Sequence, residues 1–287
     1  MPRKIAAPSP TPIVWIGNKA GMLDEIALAL PKRADKRRWV VPFCGSLAPV
    51  LYFKPEFAVV SDFCKPLIEF WRHVQARPKT LAQAVSKRLP SDVNSHWYVG
   101  LRDAFNSDAD STSVEASAAW FLLNRFGFRG RYRVNAGGHC NIPFDHTRKS
   151  VVPAVQRAVG MFESCAAVMR GWDVVHEDWL ETLGRSLDGD FVYIDPPYDD
   201  VYDYSDMVVG AAPFCKLKQA KLKVTLTNLV KSRSNLTVLV HNSPTPLVRK
   251  LYATESWREV VYDRDHKVGY GKTLKPQAKE AIYVAGA

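Results

Sequence analysis

No stretch of this sequence is long and apolar enough to cross a bilayer. A spanning helix needs roughly 18 uninterrupted apolar residues, and no run here approaches that, so membrane embedding is not expected. Cysteine is scarce and dispersed. The five (Cys44, Cys64, Cys140, Cys165 and Cys215) include no C-x-x-C pair, and their number is odd. That argues against a disulfide framework and a thiolate metal site, and it fits a reduced, intracellular (cytoplasmic) protein. No metal site is expected. Residues 1–12 are rich in proline and lack the apolar core of a secretory leader, so they read as a flexible arm. Internal repeats are missing. Acidic side chains are in the minority, 29 against 39 Lys plus Arg, for a formal net charge of +10 at pH 7. Such a surplus either decorates an ordinary surface or matches a polyanion, because Lys and Arg gain free energy by displacing counterions from phosphates.

What is present is enough for a sizeable core: 287 residues, 47% of them hydrophobic, which suggests one or two domains. After the arm, residues 13–17 read as a short extended piece. Residues 19–30 are amphipathic, with Met22, Leu23, Ile26 and Leu30 at helical spacing. Residues 39–43 read as a buried strand, followed by a turn at residues 44–46 and an apolar stretch over 47–53. A second strand, 58–61, is closed by Asp62, and a helix follows over 66–74. Strand, turn, helix, strand, acidic residue is how a Rossmann-like α/β sheet opens. The pattern resumes late in the chain, with a helix over 154–169 and strands over 172–175, 190–194, 236–240 and 281–284.

The middle differs. Residues 75–153 are polar, basic and rich in small residues, and residues 124–133 interleave cations with aromatics. The turn signal Ala136-Gly-Gly138 then predicts a hairpin. This region reads as an insertion that divides the sheet. The catalytic domain is therefore expected over 13–74 plus 154–287, and a DNA-binding target-recognition domain over 75–153.

The most specific signal is Asp195-Pro-Pro-Tyr198, directly after the apolar run 191–194. Ligands of open α/β sheets bind at the carboxyl ends of strands, which makes a chance proline-rich turn a poor explanation. From here the chain resembles the Dam-type, adenine-specific DNA methyltransferases. Several blocks match in order. Trp15-Ile-Gly-Asn-Lys19 resembles the family's W-x-G-x-K block, and Pro42-Phe-Cys-Gly-Ser46 its glycine-containing cofactor turn. Ser61-Asp62 with Pro66-Leu-Ile68 is similar to its acidic residue and following helix. Tyr98-x-x-x-Arg102-x-x-x-Asn106, Asn124-Arg-x-Gly127 and Asn141-Ile-Pro-Phe144 resemble blocks of its recognition region. His241-Asn-Ser243 and Lys279-Glu280 fit near the end. One position departs: the family usually has glycine or another small residue near Leu47.

The resemblance implies a Rossmann-like, S-adenosylmethionine-dependent methyltransferase sheet with an inserted, mostly helical target-recognition domain carrying a β-hairpin. It implies methyl transfer to N6 of an adenine flipped out of double-stranded DNA, in a bacterial or phage setting, with a cognate restriction endonuclease as a candidate partner. The residue chemistry agrees. An adenine amino group is a weak nucleophile because its lone pair is delocalised. Two acceptors on its hydrogens, the Asp195 carboxylate and the Pro196 carbonyl, would free that pair. Pro196 and Pro197 stiffen the backbone. Tyr198 offers a ring for base stacking, on the order of 1–3 kcal/mol, and an extruded base is implied.

By the same resemblance, Trp15, Lys19, Phe43, Cys44, Gly45, Ser46, Asp62 and Asp195 would surround the cofactor. Lys19 would face its methionine carboxylate, or be only a solvated lysine at a helix start. Gly45 would permit close backbone approach. Asp62 would accept from the ribose hydroxyls. Asp178 would accept from the cofactor's adenine, with Glu177 as its competitor and a helix N-cap as the plainer role. In a hairpin, alternate residues share a face, so Arg129, Arg131 and Arg133 would line one side, joined by Arg125. Most of these would contact phosphate, with Asn135 and His139 as candidates for base contacts. His146, Arg148 and Lys149 would extend the basic surface, and Arg249, Arg258, Arg264, Lys267 and Lys272 would add to it on the catalytic domain. Two other readings stay open: an N4-cytosine methyltransferase, with the same chemistry, and an inactive DNA-binding module of the same fold.

Overall fold

The computed structural model describes residues 10–108, 112–148, 152–198, 214–264 and 278–286. Lys149, Lys267 and Lys272 lie outside the described residues.

A single seven-stranded sheet organises these residues: β1 (Trp39–Val41), β2 (Ala58–Asp62), β3 (Trp172–His176), β4 (Phe191–Ile194), β5 (Thr237–Asn242), β6 (Arg258–Arg264) and β7 (Ala278–Gly286), in the order β3-β2-β1-β4-β5-β7-β6. The first five are parallel, and β7 runs antiparallel between β5 and β6. Parallel strands covered on both faces read as continuous apolar runs. All residues of β1, β4 and β5 are buried, including Val40, Val192, Val238 and Val240. Burying each such valine stabilises the fold by about 1.5–3 kcal/mol. Strand order reverses between β1 and β4, so the crevice for a ligand opens beyond their carboxyl ends.

The helices follow in chain order: α1 (Leu23–Ala29), α2 (Ala48–Phe53), α3 (Lys65–Ala76), α4 (Pro78–Arg88), α5 (Ser95–Ser107), α6 (Val114–Phe126), α7 (Val152–Val159), α8 (Phe162–Val168), α9 (Trp179–Gly184), α10 (Lys216–Ser232) and α11 (Pro246–Tyr252). Several carry side-chain N-caps, which satisfy otherwise orphaned amides. Asn94 caps α5, Ser113 caps α6, Asp178 caps α9 and Thr245 caps α11. The described residues between 75 and 148 are mostly helical. Their central helix α6 is buried nearly all round, and Trp120 and Phe121 meet Phe70 of α3 and Phe162 of α8.

Four local expectations are corrected. Residues 13–17, expected to be extended, begin with a bend at Ile13 and end in a turn at residues 16–17, with Gly17 at φ 78°. The amphipathic stretch over 19–30 becomes helical only at Leu23, and Lys19 ahead of it belongs to the site described below. The single helix over 154–169 is two helices, broken where the chain turns at Gly160 and Met161. β6 was not foreseen; it is an edge strand with charged ends, which dilutes its apolar signal.

The hairpin is present in reduced form. Its arms are antiparallel and form no continuous ladder: isolated bridges pair Val134 with Cys140 and Gly127 with Phe144, and further backbone bonds cross from Asn135 to His139 and from Phe128 to Pro143. Arg129 sits in a 3-10 turn over Phe128–Gly130, so it does not continue an extended alternation with Arg131 and Arg133. The shared-face argument therefore fails at that residue.

Candidate active site

Four loops meet at the switch point: residues 15–22 ahead of α1, the turn after β1, the end of β2, and the turn after β4. Asp195 leads out of β4, and its carboxylate is held from two sides. Lys19 Nζ lies 2.8 Å from Asp195 Oδ2, and the Tyr198 hydroxyl donates to Asp195 Oδ1 over 3.2 Å. Lys19 also donates to the Gly17 carbonyl at 2.6 Å and lies 5.0 Å from the Tyr198 ring centroid. The Lys19 side chain is only 2% exposed, against 20% for Asp195. A buried lysine is tolerated when it is paired. Burial pushes the Asp195 carboxyl above the usual carboxylate range, and the Lys19 ammonium opposes that rise. The sequence contained both residues of this pair but gave no signal that they meet.

The turn after β1 is clamped on three sides. The Gly45 amide donates to Asp62 Oδ2 at 3.1 Å, the Gly45 carbonyl accepts from Trp71 Nε1 at 3.0 Å, and the Trp15 ring covers the remaining side. A Cβ on Gly45 would stand 2.7 Å from Trp15 Nε1, and Gly45 has φ +44°, so glycine is required twice over. Asp62 also accepts from the Cys64 amide at 3.0 Å. Burial raises its carboxyl above the ordinary value, against the lowering by those two backbone donors. Cys44 and Ser46 are buried in the turn. Phe43 stacks near Trp179 at 6.3 Å and meets Phe214 edge-on at 5.5 Å, an apolar wall at the rim of the sheet.

Leu47 explains the family's small residue at this position. It has φ 54°, in the left-handed region, where a side chain costs about 1–2 kcal/mol. Its side chain is nonetheless fully packed.

Asp178 caps α9 by accepting from the Leu180 amide at 2.9 Å. Glu177, its competitor, is engaged by Arg185 and by the Thr182 hydroxyl. The plainer role for Asp178 is therefore filled, and Glu177 is committed to an ion pair.

The blocks that resemble the recognition region make contacts within the chain. The Asn124 amide pairs with the peptide of Val14, accepting from its N–H at 3.0 Å and donating to its carbonyl at 2.6 Å. Arg125 donates to the carbonyls of Pro12 and Ala154. These contacts fix the segment that delivers Trp15 and Lys19, and residues 11–13, around the end of the expected arm, are buried. Gly130, at φ +64°, lets that segment approach, since a Cβ there would meet Val14 at 2.4 Å. On α5, Tyr98, Arg102 and Asn106 share one face and hold the loop that follows α6. Asn106 exchanges two bonds with Cys140, Arg102 donates to Ile142, and the Tyr98 ring packs on Phe144. At the tip, Asn135 Oδ1 accepts from the amides of Gly137 and His139, forming the turn itself, and the His139 side chain is exposed. Arg133 donates to the Asn141 carbonyl. Arg131 is half-buried.

Among the described residues, no cluster of His, Cys, Asp or Glu could hold a metal ion, and no helix is long and apolar enough to cross a membrane.

Residues 15–265 match the family described as D12 class N6 adenine-specific DNA methyltransferase. The chain is 27% identical over 288 residues to the retron Ec67 DNA adenine methylase of Escherichia coli, covering 96% of this chain and 92% of that protein. It is 26% identical to the type II methyltransferase M1.LlaDCHI of Lactococcus lactis subsp. cremoris, covering 83% and 82% of the two chains. It is 25% identical to a DNA adenine methylase of Vibrio cholerae, covering 83% of each.

Proposed function

We propose, since the chain belongs to the D12 class N6 adenine-specific DNA methyltransferase family, that its reaction is carried by Asp195, the Pro196 carbonyl and Tyr198. The observation that carries this reading is the Asp195 carboxylate itself. It stands at the carboxyl end of β4, beside the switch point, one-fifth exposed and already accepting from two donors. In the proposed complex it accepts one hydrogen of the adenine amino group, and the Pro196 carbonyl accepts the other. The nitrogen lone pair is then localised for attack, and Tyr198 stacks on the extruded base. Once methylated, the nitrogen carries one proton too many, and Asp195, already bonded to one of its hydrogens, takes it. Lys19 keeps the carboxylate ionised. It must share that carboxylate with the base or swing aside when the base enters. Placing donors and acceptors in a water-poor pocket supplies most of the rate.

The methyl donor we assign is S-adenosylmethionine, and the residues present fit it. Trp15 covers the glycine turn at residue 45, Asp62 offers a carboxylate for hydroxyls at the end of β2, and Phe43 and Trp179 form a wall suited to a purine. When bound, that group supplies an electrophilic methyl on a sulfonium. Trp15 and Lys19 line the same space, and Asp178 keeps one carboxylate oxygen beyond its capping bond. The duplex is read by residues 127–145, with Arg131, Arg133 and His139 toward phosphate and base edges. A cytoplasmic protein of a bacterium or phage suits this reading, and the type II relative makes a companion restriction endonuclease part of it.

The test is Asp195→Ala. Methyl transfer should fall by roughly a thousandfold while affinity for duplex DNA changes little. Turnover near that of the unaltered protein would sink the mechanism.

A further inference from the structure

The tetrapeptide that bears the chemistry cannot hold itself. Pro196 and Pro197 have no backbone N–H, so two successive residues of the turn contribute no amide donor. The Pro197 carbonyl is met by a side chain. It accepts a bond of 2.8 Å from Gln219 Nε2, on the first turns of α10. Gln219 is wholly buried, which is unusual for glutamine. Its amide oxygen accepts in turn from Asn242 Nδ2 at 3.2 Å, and Asn242 Oδ1 accepts from the Ser243 amide at 2.9 Å. Asn242, the last residue of β5, is also wholly buried.

Both ends of this relay are backbone groups, and they settle which way each amide points. A carbonyl at one end demands the NH2 of Gln219, and an N–H at the other demands the oxygen of Asn242. Neither amide can flip without losing a bond. Buried amides are costly unless bonded, and an apolar residue at position 219 would not carry that cost. What the relay achieves is positional: β5, α10 and the turn after β4 are tied to one another at the peptide next to the reacting groups.

We propose that Gln219 and Asn242 are positioning residues for methyl transfer. They fix the Pro197 peptide and so aim the Pro196 carbonyl and the Asp195 carboxylate at the amino nitrogen. Neither touches the substrate. This rests on the reading of Asp195 and Pro196 given above.

The experiment is single-turnover transfer of labelled methyl from S-adenosylmethionine to unmethylated bacterial DNA by Gln219→Met. This variant keeps the volume and removes the donor. The expected result is a loss of about 10- to 100-fold in the chemical step, the scale of a small misplacement of reacting groups. Dissociation constants for DNA and for S-adenosylmethionine should stay within about twofold, a common allowance for a change remote from both ligands. A folded Gln219→Met with an unaltered single-turnover rate overturns the proposal, as does a loss confined to binding. Asn242→Ser, a milder change that loosens Gln219 while sparing its bond to Pro197, answers the case in which Gln219→Met does not fold. It should give a smaller loss in the same step, and an unchanged rate there equally overturns the proposal. Asp195→Ala run alongside separates the two ideas. If Asp195→Ala is dead and Gln219→Met is fully active, only the positioning role fails. If Asp195→Ala is active, the reading beneath it fails.

Discussion

The rim of the sheet and the loop over residues 127–145 are built in opposite ways. At the rim, Asp195, Gly45 and Pro197 follow the ends of buried strands and are locked by side chains from elsewhere in the chain: Asp195 by Lys19, Gly45 by Asp62 and Trp71, Pro197 by Gln219. In the loop, regular pairing is nearly gone. Two isolated bridges join the arms, α5 grips one side, and the tip is a turn made by Asn135 with an exposed His139 beyond it. Methyl transfer needs atoms held to fractions of an ångström. Reading a duplex begins with charge attraction to phosphates and tolerates looser placement. The two regions therefore should fail differently when altered: rate at the rim, affinity and its salt dependence in the loop.

After the loss expected for Asp195→Ala, the largest effect belongs to Lys19→Met. Lys19 opposes the upward push that burial gives the Asp195 carboxyl. Asp195 must be ionised to accept from the base, so activity falls as pH drops through its pKa. Removing the ammonium raises that pKa further, and the acid limb of the pH–rate profile should move to higher pH. An unmoved limb with a raised KM for S-adenosylmethionine would instead place Lys19 at the methionine carboxylate, and the rim would lose one of its locks.

In the loop, replacing Arg129, Arg131 and Arg133 together by alanine should weaken DNA binding and flatten its salt dependence. Each lost phosphate contact lowers the log–log slope by about 0.9. Single-turnover rate at saturating DNA should hold. If the slope is unchanged, DNA is not bound through this loop.

The smallest effect sharpens the account of the turn after β1. Leu47 gains by burial and loses by its left-handed backbone. Leu47→Ala keeps the strain and discards the packing, whereas Leu47→Gly discards both. Glycine should therefore be the milder of the two, by about 1 kcal/mol in urea unfolding. Alanine proving milder would mean that the strain is absent.

How much of this was legible beforehand follows the same division. The tetrapeptide stood out because a run of apolar residues ended at an unusual four-residue signature. Asp62 and Gly45 were singled out because strand, turn and acidic residue come in a fixed order, and their cofactor roles came from the resemblance. These are local patterns, and the sheet around them matches its expected class. What sequence could not give is contact between distant segments. Lys19 meeting Asp195 and Gln219 meeting Pro197 depend on how four loops converge. Asn124 and Arg125 belong to a block that resembles the family's recognition region, and nothing in the sequence signalled their bonds to Pro12, Val14 and Ala154. The alternation assumed for Arg129, Arg131 and Arg133 failed because a 3-10 turn interrupts the arm, and glycines on either side of Arg129 were the only local hint.

The central claim is that the rim delivers a methyl group to the amino nitrogen of adenine. The measurement that tests it most directly is transfer of labelled methyl from S-adenosylmethionine to unmethylated DNA, followed by nucleoside analysis of the product. The account predicts label in N6-methyladenine alone. Label in N4-methylcytosine, or no label in DNA from a protein that binds S-adenosylmethionine, would contradict it.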